Sequence, residues 1–300
     1  MRKHKERIGL LGGLILVGIL FLLSSTDLIL KEKQQDIYTV AVILPEDSDA
    51  LSNYRKGIDQ AASMENVDVH YETVYKIKDG YDYETAALQT AEDGPEAVIL
   101  LGVNGEEEDW LGEAARGIPV ISLGTSRPYR KNSCQITADY KEQGKLLAES
   151  ILEDSEPGEQ IQIFSQRWGQ EETRECAAQM EQILNEQGRT TERVVNYKSL
   201  QEAKTAVLEM ESMSKILQMD DMQIQLYGIG YTSEAVEAMA EKRIQALALA
   251  NEYDMGYLAM QSAVQIIDGE LQCLEQTMES ILVRPEDVYG QYEAVLFPIS

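Results

Sequence analysis

Short apolar runs alternate along most of the chain with longer stretches in which apolar positions recur every three or four residues. The runs read as strands over Thr39–Leu44, Val67–Thr73, Ala97–Gly102, Pro119–Leu123, Ile161–Ser165, Arg193–Tyr197, Gln223–Gly228 and Ile244–Leu249. The periodic stretches predict helices over Leu51–Met64, Tyr83–Glu92, Glu107–Ala115, Lys141–Glu153, Gln170–Gln187, Leu200–Gln218, Ser233–Glu241 and Tyr253–Asp268. Strands separated by helices of about 10–15 residues make βαβ units and parallel sheets covered on both faces, so the fold class is α/β. The alternation pauses once. Gly117 ends one helix, Pro119 opens a strand where its missing N–H costs least, and Gly124 to Gln135 is then polar and poor in helix signal. A closed barrel would continue without that pause, which favours two open, doubly wound Rossmann-like lobes.

The N-terminus has a different pattern. Ile8 to Thr26 is a run of 19 uncharged residues behind Arg2, Lys3, Lys5 and Arg7. At about 1.5 Å per residue, a helix of that length approaches the roughly 30 Å of a bilayer core. The basic cluster before it puts the N-terminus in the cytoplasm and residues 34–300 outside. A cleaved secretory signal is the competing reading, but its apolar stretch is usually about 7–15 residues, and Ser24, Ser25 and Thr26 make a weak cleavage site. The expected organisation is a basic stub, transmembrane anchor and stem over 1–36, a first lobe over 37–138 plus 251–279, and a second over 139–250 plus 280–300.

Charge narrows the partners. The chain has a formal net charge of −26, which disfavours nucleic acid and anionic membrane surfaces as main partners. Cys134, Cys176 and Cys273 are odd in number and lack metal or redox spacing, so they read as small buried hydrophobes. His4 and His70 are the only histidines. A triad would depend on His70 inside a strand, and no catalytic or zinc site is expected. Gly228-Ile229-Gly230 lacks the third glycine of a dinucleotide fingerprint and no phosphate-binding loop occurs, so no cofactor is expected. Glu106 to Asp109 and Asp220-Asp221 lack calcium-loop spacing and read as solvated surface.

Several segments, taken in order, resemble the type I periplasmic binding proteins, the group of ribose- and galactose-type sugar receptors and the ligand domains of lac-repressor-type regulators. They are Gly57-Ile58, Ala97 to Leu100, Ala114-Ala115-Arg116-Gly117-Ile118-Pro119-Val120-Ile121, Ile136-Thr137-Ala138-Asp139-Tyr140 with Gly144-Lys145, Tyr227 to Gly230, and Tyr253-Asp254-Met255-Gly256-Tyr257-Leu258-Ala259. The resemblance implies two lobes joined by crossover strands, with a small ligand in the cleft beyond the strand ends.

The chain departs from that pattern at the positions that grip sugars. Relatives carry an Asn-Pro-aromatic-aromatic run where this chain has Ser48-Asp49-Ala50-Leu51, and an Asp-Arg pair where it has Gly124-Thr125. The usual acid after Gly228-Ile229 is replaced by Gly230 or Tyr231, and the usual Gln falls at Ala250 or Asn251. Only 29 residues separate Tyr197 from Tyr227, so the second lobe is expected to lack one βα unit that carries an Asn-Asp signature in relatives.

Arg174 stays in register with a ligand-contacting arginine of the family and is the expected polar anchor, its fork suited to a carboxylate, a phosphate or vicinal hydroxyls. An ion pair with Glu171 or Glu175 is the alternative. Asn104, Thr125, Asp139, Trp168, Tyr197, Tyr231 and Asn251 are the other candidate contacts. The expected function is a membrane-anchored, extracytoplasmic protein that binds or senses a small polar solute for an ABC transporter permease or a sensor kinase. The alternative is a degenerate binding fold acting as a ligand-free interaction module. Neither is an enzyme.

Overall fold

The computed structural model describes residues 13, 15–19, 21, 37–46, 51–77, 80–81, 83–101, 117–124, 134–219, 224–270 and 275–297. Residues 1–37 form one unit and residues 38–300 another. Most of Ile8–Thr26 lies outside the described residues. Those of its residues that are described are helical, with Ile15, Leu16, Val17, Ile19 and Phe21 exposed. Among the described residues no helix is long and apolar enough to cross a membrane.

Residues 38–300 carry two six-stranded sheets. The first contains β1 (Tyr38–Pro45), β2 (Val67–Val74), β5 (Ala97–Leu101), β6 (Val120–Leu123), β7 (Cys134–Ala138) and β13 (Glu275–Met278), in the spatial order β13-β7-β6-β5-β1-β2, all parallel. A small hairpin, β3 (Lys76–Ile77) with β4 (Gly80–Tyr81), follows β2. The second sheet contains β8 (Gln160–Phe164), β9 (Thr190–Val194), β10 (Lys204–Val207), β11 (Gln225–Ile229), β12 (Ile244–Ala250) and β14 (Ser280–Val283), in the order β14-β12-β11-β10-β8-β9; only β14 is antiparallel. Helices cover both faces, as parallel strands buried on two sides require. The central strands are accordingly near-continuous apolar runs; β5, Ala97 to Leu101, is buried throughout.

Two helix pairs pack with their backbones almost in contact. In the first lobe, α1 (Ser52–Glu65) crosses α7 (Glu252–Ile267) at Gly57 and Gly256. A Cβ added at Gly57 would stand 2.0 Å from the Tyr253 carbonyl oxygen, and one at Gly256 2.1 Å from that of Tyr54. In the second lobe, α3 (Tyr140–Asp154) meets α4 (Glu171–Glu186) at Gly144, where a Cβ would fall 2.2 Å from the Cys176 carbonyl oxygen. Gly57, Gly144 and Gly256, three of the glycines picked out by resemblance, are therefore packing residues. Cys134 and Cys176 are buried, and Cys273 lies outside the described residues.

The chain passes between the sheets three times: Ala138 to Tyr140, Ala250 to Glu252, and Met278 to Ser280. The crossings lie side by side, since Asp139 N–H donates to the Met278 carbonyl (3.2 Å), Ser280 Oγ donates to the Asp139 carbonyl (3.3 Å), and Ala250 pairs with Ser280. Three adjacent extended connections between two packed bodies are what a hinge requires.

The structure corrects the sequence reading in the second lobe. Leu200–Gln218 is not one helix. It holds β10 and the short helix α5 (Met210–Leu217), so the βα unit expected to be missing is present. What is shortened is the β9–β10 crossover, which has only a 3₁₀ turn at Tyr197–Ser199. That segment is pinned by the buried Gln162, whose side-chain oxygen accepts from Gln201 N–H (3.0 Å) while its amide donates to the Ser199 carbonyl (3.4 Å). The strand expected at Arg193–Tyr197 begins earlier, at Thr190, because its half-exposed edge alternates polar residues and only Val194 is buried. The helix expected at Glu107–Ala115 falls outside the described residues.

Candidate functional site

Open parallel sheets bind ligands beyond the carboxyl ends of their strands, where the strand order reverses. In the first sheet that reversal lies between β1 and β5, and in the second between β8 and β10. The connections leaving those ends, together with the three crossings, define the interlobe crevice.

Several aromatic and acidic side chains meet there. Gly124, just past β6 with φ +78°, takes both sides of a tyrosine pair: Tyr140 Oη donates to its carbonyl at 2.8 Å, and a Cβ added to it would stand 3.7 Å from Tyr54 Oη. Tyr54 comes from α1, and Tyr140 opens α3 at the first crossing. Glu252 opens α7 at the second crossing, and Tyr231 follows β11. Burial raises the Tyr54 hydroxyl well above its ordinary pKa, with the Glu252 charge adding to it. Tyr140 is raised by burial, then by Glu172, with a smaller contribution from Glu252. Tyr231 is raised by burial and Glu252. One carboxyl thus acts on three phenols from both lobes. Glu252 itself keeps partial solvent access, yet desolvation pushes it well above the usual carboxylate range.

A raised carboxyl makes a signed prediction. Above the ordinary glutamate value of about 4.3, the unfolded chain ionises while the folded one holds its proton, so this group lowers stability as pH rises. Glu252→Gln should therefore melt higher than wild type at pH 7, and the gain should vanish near pH 4. Melting curves at the two pH values test it; an equal or lower melting temperature at pH 7 would contradict the assignment.

A second cluster organises the second lobe's edge. The Glu209 carboxylate, 8% exposed, follows β10 and accepts from Ser165 Oγ (2.7 Å), Gln166 N–H (2.6 Å) and Ser212 Oγ (2.7 Å). Ser165 Oγ in turn accepts from Arg167 N–H at 2.8 Å. The loop 165–170 is thereby fixed beyond β8.

The residues singled out from sequence fall into four groups. Asn104 and Thr125 lie outside the described residues. Asp139 and Asn251 occupy two of the crossings as helix N-caps, accepting from Glu142 N–H (2.9 Å) and Asp254 N–H (3.2 Å). Tyr231 is brought to the Tyr54–Tyr140–Glu252 cluster and donates to the Val295 carbonyl at 3.3 Å.

Trp168, Tyr197 and Arg174 gather beside the 165–170 loop. Trp168 lies under the Arg193 guanidinium (4.7 Å), which is held by Glu181 at 2.6 Å. The Tyr197 ring packs 4.8 Å from Phe164, and its hydroxyl is 3.0 Å from Ser212 Oγ. Arg174 is exposed and Nη1 donates to the Gly169 carbonyl at 2.6 Å, while Glu175 pairs with Lys141 at 3.4 Å.

Asp139→Ala should cost about 1 kcal/mol through the lost cap, and Asp139→Asn should restore most of it. Denaturant titration of the two variants checks this; equal losses would point to a role for the charge beyond capping.

Sequence reasoning missed Tyr54, Tyr140, Glu252 and Glu209. Tyr140 closed a segment already singled out. Tyr54 lies one helical turn before Gly57, and Glu252 directly follows Asn251. Glu209 was obscured by the single-helix reading. Away from the crevice, a cavity of about 560 Å³ opens at the N-terminal end of β10 and β11, lined in part by Lys204, Ile216, Leu226 and Arg243. Lys204 there pairs with Glu159 at 2.6 Å and Arg243 donates to the Leu217 carbonyl. It sits at the wrong strand ends for the ligand position this architecture defines.

Two sheets, three crossings and a crevice at the strand ends define the two-lobed fold of the type I periplasmic binding proteins. A profile described as "Periplasmic binding protein domain" matches residues 40–271, and the chain belongs to that family. Among solved structures it is similar to an ABC transporter solute binding protein from Agrobacterium vitis bound with alpha-D-tagatopyranose (TM-score 0.76, 13% identity, covering 88% of this chain and 100% of that one). It is also similar to GanP, a glucose-galactose binding protein from Geobacillus stearothermophilus (0.72, 15%, 85% and 99%). A third is a solute binding protein from Bacillus halodurans with bound myo-inositol (0.70, 17%, 86% and 98%). No curated protein matches by sequence.

Proposed function

We propose that this chain is a membrane-anchored, extracytoplasmic binding protein for a sugar-like or other small polar solute, and not an enzyme. Lobe 1 comprises 37–138 with 251–279, and lobe 2 comprises 139–250 with 280–300. The observation that carries the reading is the convergence of Tyr54 and Tyr140 on Gly124, beside Glu252 and Tyr231, in the interlobe crevice. Aromatic faces with a few polar groups are what pyranose-sized ligands need, and here they replace the aromatic and Asp-Arg pairs of sugar receptors. The ligands named for the similar structures are sugars and a cyclitol. Arg174 and Trp168 are proposed as contacts from the second lobe, with Asp139 and Asn251 at the hinge.

Ile8–Thr26 serves as the tether; the exposed apolar side chains of its described helical residues support that role. Lobe closure on the solute changes the surface offered to a membrane partner, an ABC permease or a sensor kinase. Thermal melting of the full chain against monosaccharides, cyclitols and nucleosides tests the reading. A true ligand at about 100 times its dissociation constant stabilises by about 2.7 kcal/mol. A broad panel without any shift would favour a ligand-free interaction module instead.

A further inference from the structure

The crevice holds a carboxyl that the described residues leave uncompensated. Desolvation is the only cause acting on Glu252, and among the described residues no hydrogen bond or ion pair reaches it. Other acids of the two lobes differ. Asp254 accepts from Asn251 Nδ2 at 2.6 Å, Glu209 accepts three donors, and Glu175 meets Lys141.

Among the described residues, four cations of the second lobe are already engaged: Arg167 with Glu211, Arg193 with Glu181, Lys145 with Glu142, and Arg174 through Nη1 with the Gly169 carbonyl. A carboxyl withdrawn from water keeps its proton unless a cation stands beside it, and the protein's described residues supply none. Around it stand three tyrosines from both lobes, whose ring faces attract cations as well as sugar C–H groups.

We propose that the crevice takes a small hydroxylated ligand carrying a cationic nitrogen, an amino sugar or aminopolyol, with Glu252 as its counter-charge and Tyr54, Tyr140 and Tyr231 around it. This rests on the solute-binding reading above. Closure of the lobes would bring the tyrosines of both onto one ligand, and the ammonium group would occupy the position no described side chain fills.

The test is calorimetric titration of the full chain at pH 7 with D-glucosamine and D-galactosamine, their N-acetyl forms, and D-glucose and D-galactose. At least one free amino sugar should bind ten times or more tighter than both its N-acetyl and its neutral counterpart. Glu252→Gln should remove that preference without lowering the melting temperature of the unliganded protein, and Glu252→Asp should retain part of it. Equal or tighter binding of the neutral or N-acetyl sugar, or a preference unchanged in Glu252→Gln, would overturn the inference while leaving the solute-binding reading in place. Binding of none of the six would overturn the amino-sugar inference, and the absence of any shift in the wider panel of sugars, cyclitols and nucleosides would overturn both.

Discussion

Gly57→Ala is expected to destabilise the protein by roughly 3–5 kcal/mol, at the upper end for a single methyl group. The added Cβ would meet the backbone oxygen of Tyr253 at 2.0 Å and the backbone nitrogen of Tyr257 at 2.8 Å. A flexible side chain could swing aside, but a helix backbone cannot, so α1 and α7 must separate along their whole contact. That contact buries Ile58, Ala61, Met255, Ala259 and Met260, and opening it loses dispersion and apolar burial together. For a domain this large, the loss should lower the melting temperature by about 10 °C. Gly256→Ala acts on the same crossing from the other side, through the Tyr54 carbonyl. The double variant should therefore lose much less than the sum of the two. Denaturant unfolding of the two single variants and the double decides it; a loss below about 1 kcal/mol for Gly57→Ala would mean the helices are not in backbone contact. Because α1 carries Tyr54 and α7 carries Glu252, the same substitution should weaken ligand binding in whatever fraction stays folded.

Glu209→Ala should have the next largest effect, about 3 kcal/mol, since removing one partner of a buried charged network leaves the others unsatisfied. Three donors lose their acceptor at once: the hydroxyls of Ser165 and Ser212 and the N–H of Gln166. Glu209→Gln keeps one acceptor oxygen and should lose about half as much. The damage is local before it is global. The 165–170 loop carries Trp168 and the Gly169 carbonyl that holds Arg174, so ligand affinity should fall even at temperatures where the fold is intact. Amide exchange at Gln166 and Arg167 should accelerate in the variant while β11 stays protected. Uniform acceleration across the second sheet would instead make Glu209 a general stability residue.

The alternation of strands and helices was legible because parallel strands buried on both faces are continuous apolar runs and their covering helices keep a 3.6-residue period. β10 was not. Lys204-Thr205-Ala206-Val207 is only four residues long and lies between Gln201-Glu202-Ala203 and Leu208-Glu209-Met210-Glu211, whose residues favour helix. Its strand state is imposed by pairing with β8 and β11 on either side, a tertiary effect that no local window contains. The crevice was legible in outline only. Asp139 and Asn251 were found through the resemblance, one in the segment Ile136 to Tyr140 and the other where relatives carry a Gln, and both prove to be caps at the crossings. Glu252, the next residue after Asn251, looked like an ordinary first-turn acid favoured by the helix dipole. Its burial beside Tyr54, about 200 residues away in the chain, and beside Tyr140 and Tyr231 is a convergence made by the crossings folding together.

Small-angle X-ray scattering of the full chain, alone and saturated with each sugar and amino sugar in turn, tests the central claim that two hinged lobes close on a small solute. At least one of them should lower the radius of gyration while the others leave it unchanged, and Glu252→Gln should blunt the response to an amino sugar. A radius of gyration unmoved by every compound, or a ligand that binds without compaction, would contradict it.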